Sequence, residues 1–108
     1  MNGMVKLYFT VHVNLQDSIR TESAEAAGEE LVAYVRYYGV TAESVDDAFE
    51  LIARDVNDGT VDSIKGGEVD PDSLDTEIRK HAISAGVSGI WYRSGRMFID
   101  ESQRRDWG

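Results

Sequence analysis

The sequence predicts an α+β domain: a mostly antiparallel sheet with two helices packed on one face, its elements in the order β-β-α-β-α-β-β. The prediction rests on a period-two segment near the start, two capped amphipathic segments in the middle and two β-rich runs near the end. A length of 108 residues is typical of one domain. We therefore expect residues 1–108 to form a single unit, with a loosely ordered polar tail from about residue 100.

Two strands are predicted in the N-terminal part of the chain. Apolar and polar side chains alternate from Val5 to Gln16, which is typical of a strand with one buried face. The segment 31–41 has some helical spacing, but its Val, Tyr and Thr content favours a strand that pairs with the first. Between them, residues 17–30 are compatible with a loop or a short helix, because Gly28 interrupts a run rich in Ala and Glu.

The first helix is predicted over residues 44–58. Ser44 can cap it, and apolar side chains recur at helical spacing until Gly59 ends the pattern. A short strand over 60–64 and a flexible segment at 65–67 should follow.

The second helix is predicted to begin at Asp70. Pro71 then takes the first helical position, where its missing N–H does no harm, and Gly86 ends the helix. Its buried stripe should comprise Leu74, Ile78, Ala82 and Ala85.

Two β-rich runs near the C terminus predict a β-hairpin. Ile90–Arg93 and Arg96–Ile99 flank residues 94–95, a two-residue turn of the kind that joins antiparallel strands. Strict alternation would put Trp91 and Arg93 on one face, so about half of this cluster should belong to the core.

The composition excludes several classes of chemistry. The chain has no cysteine, which removes thiol nucleophiles, thiolate metal sites and disulfides. Apolar runs are too short to cross a membrane and the start lacks the pattern of a secretory signal, so we expect a cytoplasmic protein. The glycines at 66–67 do not fit any phosphate-binding loop, and we expect no cofactor.

The net charge of −9 is concentrated in the middle of the chain. Residues 17–77 hold 17 of the 20 acidic residues, whereas residues 78–108 hold 6 of the 11 basic ones. An acidic middle disfavours nonspecific nucleic-acid binding, which depends on Lys and Arg. It is compatible with a basic protein partner, although solubility explains many of these charges.

Some residues invite a metal or catalytic interpretation, yet each has a structural explanation. The acidic stretch from Asp55 has its glycine in the wrong position for a calcium loop. Asp70 serves as a helix cap, and His12 and His81 lack the spacing of a local metal site. We therefore expect no metal, and the alternative function is a small metal-dependent hydrolase using Asp62, Asp70 or His81.

Candidates for partner binding come from two parts of the chain. Trp, Tyr and Arg dominate the energetics of protein interfaces, and they are concentrated in the predicted hairpin. The first helix adds an acidic face. The candidates are Trp91, Arg93, Arg96, Phe98, Asp46 and Glu50.

The resulting hypothesis is a small cytosolic binding module rather than an enzyme. An acidic protein of this size could be a bacterial inhibitor or immunity-type protein that covers a basic surface, or a homodimer formed through the hairpin edge. A further alternative is single-stranded nucleic-acid binding by the hairpin through Arg93 and Arg96. The acidic middle makes nucleic acid the less favoured partner.

Overall fold

The computed structural model describes residues 4–20, 31–84 and 89–105, in which five antiparallel strands form one sheet. The strands are β1 (Val5–Leu15), β2 (Leu31–Ala42), β3 (Gly59–Glu68), β4 (Gly89–Arg93) and β5 (Met97–Asp100). The helices are α1 (Val45–Asp55), α2 (Thr76–Ser84) and α3 (Glu101–Arg104), with a 3-10 turn at Pro71–Ser73 and helical residues at 17–20. The α+β class and its antiparallel sheet are confirmed. Within these residues, no helix has the length and apolar character needed to cross a membrane.

Strand β1 places its odd-numbered residues in the core, as its alternation predicts. Leu7, Phe9, Val11 and Val13 are almost completely buried, whereas the intervening side chains are half-buried. Ala48 and Ile52 of α1 pack on the same core. This side of the sheet is called the core face, and the other side the outer face.

Strand β2 is the longest strand and confirms the strand prediction for residues 31–41. It pairs with β1 in an unbroken register from Val5 opposite Ala42 to Asn14 opposite Ala33. Strand β3 pairs with the other side of β1. Most of β2 is buried on both faces, so neighbours are required on each side of the sheet.

The predicted hairpin does not form. β4 and β5 each pair with β2, near its end and its start respectively, so they are two pieces of one interrupted strand along the same edge. Ser94 fills the gap, because its N–H donates to the Tyr37 carbonyl at 3.0 Å and its Oγ accepts from the Tyr37 N–H at 2.8 Å. The twelve residues of β2 form an edge long enough to pair with both β4 and β5. The turn residues at 94–95, which predict a hairpin, carry no information about the length of that edge.

The two long helices contact different faces of the sheet, whereas the prediction placed both on one. Phe49 of α1 packs edge-on against Phe9, with ring centroids 5.5 Å apart. His81 of α2 instead lies 5.6 Å from Tyr92, whose ring contacts Tyr8 on the outer face. The physical reason is the two-sided burial of β2, which one layer of helices could not provide.

Several boundaries also differ from the prediction. Helix α1 ends at Asp55, and Gly59 begins β3. Residues 65–67 belong to β3 and not to a flexible segment; Gly66 has a φ of 144°, and a Cβ there would collide with the Tyr8 carbonyl. Asp70 caps the 3-10 turn, after which α2 begins at Thr76.

One predicted element and the end of another lie outside the described residues. These are the possible short helix at residues 23–30 and the predicted end of the second helix at Gly86; of residues 17–30, the structure describes 17–20, which are helical. In the region assigned to a loose tail, α3 is capped by Asp100 in a capping box with Gln103.

Candidate functional site

Arg93, one of the predicted partner-binding residues, is held by an aspartate of α1. Its Nε and Nη2 atoms each lie 2.8 Å from a carboxylate oxygen of Asp55, in a two-pronged ion pair. The hydroxyl of Tyr38 on β2 donates to the same carboxylate at 2.6 Å. Three elements are therefore joined at one partly buried carboxylate.

Arg96 takes part in a second arrangement of the same kind. Its Nε lies 3.0 Å from Asp58, and the Tyr34 hydroxyl donates to that carboxylate at 2.7 Å. The Arg96 guanidinium also lies over the Tyr34 ring, 5.5 Å from its centroid. We call Tyr38–Asp55–Arg93 and Tyr34–Asp58–Arg96 the two clamps.

The clamps shift the pKa values of their members. Burial, the hydrogen bond to Asp55 and its charge raise the pKa of Tyr38 to about 12. Burial and Asp58 also raise the pKa of Tyr34 above its ordinary value. For Asp55, burial acts to raise the pKa, but hydrogen bonds from Arg93 and Tyr38 outweigh it and hold the pKa below its usual value. Arg93 thus fastens the interrupted strand to α1, and Arg96 fastens it to the segment that joins α1 to β3.

The two aromatic candidates of the same segment are placed differently from each other. Trp91 lies at a bulge in β4, and its ring occupies the space above Gly39, so much of its contact is internal. Phe98 is 45% exposed and packs edge-on against Tyr34 with centroids 5.7 Å apart. Of these two, Phe98 presents more surface to a partner.

The remaining candidates, Asp46 and Glu50, lie exposed on α1. Glu50 borders a shallow open cleft of about 280 Å³ and pairs with Arg54 at 3.2 Å. The cleft, which we call the acidic cleft, is lined by Met4, Thr41, Ala42, Glu43, Asp47, Glu50, Leu51 and Arg54.

The acidic cleft combines apolar walls with unneutralised carboxylates. Met4 and Leu51 provide apolar surface. Among the described residues, the side chains of Glu43 and Asp47 make no ion pair, and both are exposed. The chemistry suits a long cationic side chain whose methylene groups cover apolar surface while its charged end meets a carboxylate.

The residues considered for metal chemistry do not converge on one site, although His12 and Asp62 lie near each other. Asp62 lies at the bulge of β3, close to Asn14, and Asp70 follows the other end of that strand, roughly 26 Å away at 3.3 Å per residue. His12 lies 2.8 Å from Ser63 Oγ, whereas His81 contacts Tyr92. Nowhere in the described part of the chain do three His, Asp or Glu side chains group so that they could hold a metal ion.

Sequence reasoning missed a group of tyrosines on the outer face. Tyr8 and Tyr37 stack with ring centroids 5.9 Å apart, and Tyr92 lies 6.3 Å from Tyr8. The sequence did contain one indication: Tyr8 is a large aromatic residue at a polar position of the β1 alternation. Packing of the core does not require an aromatic residue there.

Comparison of the chain with protein-family models, with curated proteins and with solved structures gave no match. The geometry of these surfaces is therefore the basis for a functional conclusion.

Proposed function

We propose that this chain is a non-enzymatic binding module that recognises a basic protein partner through the acidic cleft and the exposed face of α1. The observation that carries the proposal is the pair of exposed carboxylates, Glu43 and Asp47, beside the apolar surface of Met4 and Leu51. A Lys or Arg side chain of the partner would enter the cleft. Asp46 and Glu50 extend the same negative surface along the helix.

The whole-chain charge supports this partner chemistry. A net charge of −9 attracts basic proteins at long range, and the cleft supplies a position for short-range contact. An inhibitor or immunity-type protein in a bacterial cytoplasm, covering the basic surface of a toxin or nuclease, would work in this way. The exposed Phe98 edge is the surface available for a second contact or for homodimerisation.

The experiment compares local charge with total charge. Binding of a fluorescein-labelled octalysine peptide is measured by anisotropy at 20 mM NaCl for the native chain and for two double variants. Glu43→Gln with Asp47→Asn changes the cleft, while Glu68→Gln with Asp72→Asn removes the same charge from exposed positions outside it. We expect the first to weaken binding about tenfold or more and the second by less than about threefold.

Equal weakening by both double variants would show that the peptide senses only net charge, and the proposed site would be wrong. A second check is Leu51→Asn, which keeps the charge but removes apolar surface from the cleft. Binding of octalysine should weaken in that variant while thermal melting stays cooperative.

A further inference from the structure

Three tyrosines form a row across the outer face of the sheet. Tyr8 lies on β1, Tyr37 on β2 and Tyr92 on β4, and the rings of Tyr8 and Tyr37 are within 8° of parallel. His81 of α2 continues the row beside Tyr92. We call Tyr37, Tyr8 and Tyr92 the tyrosine row.

The tyrosine row is not explained by core packing. Its side chains lie on the side of the sheet away from Phe9, and all three are only half-buried. Among the described residues, none of their hydroxyls makes a hydrogen bond. Burial and the neighbouring Tyr92, Tyr37 and Asp75 raise the pKa of Tyr8 to about 12, so its hydroxyl remains a donor at neutral pH.

The outer face carries charges of both signs near the tyrosine row. Lys65 is exposed and lies opposite Thr10, on the face of the tyrosine row. It is close enough to His12 to contribute to the lowering of that side chain's pKa. The acids of α1 lie beyond the opposite face, but Asp75 lies near Tyr8 and Asp62 lies near His12. Lys65 is therefore a cation on this face that a phosphate could contact, with two carboxylates close by.

We propose that the tyrosine row stacks the bases of a short single-stranded nucleic acid, with Lys65 contacting a phosphate. Aromatic residues on neighbouring strands of an antiparallel sheet form the platform on which RNA-binding sheets stack bases. Stacking does not require a particular base, because every base has a π-face. The site uses neither Arg93 nor Arg96, which the clamps hold on the other face.

The net charge of −9 shapes this binding. Long-range repulsion disfavours a nucleic acid that covers the whole molecule, so stacking over two or three bases must supply most of the affinity. The salt dependence should consequently be shallow, with a slope of about −0.7 for one phosphate contact on a single strand. Binding of nucleic acid at the tyrosine row and binding of a basic protein at the acidic cleft involve opposite faces of the sheet. An experiment can therefore contradict one of these proposals and leave the other intact.

The test is fluorescence anisotropy of 5′-labelled rU10 and dT10 at 20 mM and 200 mM NaCl. Tyr37→Leu should weaken binding about tenfold, the loss typical of removing one stacking partner. Tyr37→Phe keeps the ring and should bind within about threefold of the native chain. The matched control Phe98→Leu removes an exposed aromatic ring from the core face and should leave binding within about twofold.

Charge variants provide the second measurement. Lys65→Gln should reduce the salt slope by about 0.7, and Asp75→Asn should tighten binding by removing a nearby negative charge. The proposal is overturned if neither oligonucleotide binds at 20 mM NaCl, or if Tyr37→Leu and Phe98→Leu weaken binding equally. It is also overturned if uridine monophosphate binds as tightly as rU10, because the face would then recognise one nucleotide and not a chain.

Discussion

His12 shows how a single side chain on the outer face couples stability to pH. Burial and the nearby Lys65 lower its pKa from the ordinary value near 6.5, and Asp62 opposes them only partly. Ser63 Oγ lies 2.8 Å from its Nδ1. The folded chain therefore binds a proton at this position less readily than the unfolded chain does.

We predict that acidification from pH 7.5 to pH 5.5 lowers the free energy of unfolding through His12. As the pH falls through about 6.5, the unfolded chain takes up the proton first, so protonation favours unfolding. His12→Asn should make the dependence on pH over this range shallower. Urea denaturation at pH 7.5, 6.5 and 5.5 measures the effect.

The matched control is His81→Asn, which removes the other histidine from an exposed position on α2. An unchanged pH dependence in His12→Asn, or a native chain that becomes more stable on acidification through this range, would contradict the prediction.

At the scale of residues, the sequence showed which side chains can form ion pairs or binding contacts, but not which of them lie in contact in the fold. Arg93 and Arg96 look like interface residues because their partners, Asp55 and Asp58, are about 38 residues away along the chain. No local spacing encodes such a contact. By contrast, the Ser44 cap is local, and its Oγ accepts from the Asp47 N–H at 3.1 Å as predicted.

At the scale of elements, the junction between β2 and β4 depends on Gly39. A Cβ at this position would collide with the Trp91 ring, which occupies the space above it. The bulge between Gly39 and Val40 brings Trp91 to this place. The two residues therefore form one packing unit.

We predict that Gly39→Ala destabilises the fold by about 1–3 kcal/mol, because the Trp91 ring must move from its position. In a Trp91→Ala background the same change should cost distinctly less, since the collision is gone. Urea unfolding of the native chain, both single variants and the double variant gives the coupling energy. Additive effects would mean that the ring is not held against Gly39.

Elements that depend on interactions between residues close in sequence were predicted correctly, whereas those that depend on distant residues were not. The alternation of β1 and the β-rich content of β2 depend on side chains within one strand, and both strands were predicted. The predicted hairpin does not form, because β4 and β5 each pair with β2 and not with each other. The outer position of α2 was missed for a similar reason: two-sided burial of β2 is a property of the assembled sheet.

At the scale of the whole molecule, the dominant electrostatic property is excess negative charge. Like charges repel one another across the folded surface, and dissolved salt screens them over a distance of about 10 Å at 0.1 M. The ion pairs of the clamps are short and partly shielded, so salt weakens them less. Net repulsion should therefore govern the response of stability to salt.

We predict that the melting temperature rises between 20 mM and 200 mM NaCl. The variant Glu68→Gln, which removes an exposed charge at the end of β3, should melt higher than the native chain at 20 mM NaCl and respond less to added salt. Thermal unfolding followed by tryptophan fluorescence measures both effects. A melting temperature that falls with salt would show that attractive pairs, and not net charge, dominate.

The division of one edge of β2 between two short strands has a consequence for how the domain opens. β5 is hydrogen-bonded to the first part of β2 and β4 to the last part, with Ser94 between them. Once the contacts of Arg96 with Asp58 and of Arg104 with Asn14 break, the C-terminal strand can peel away while the remainder of the sheet stays closed, exposing backbone donors near Leu31 to exchange with solvent. Such partial opening releases a short apolar strand from one end of the molecule without requiring global unfolding.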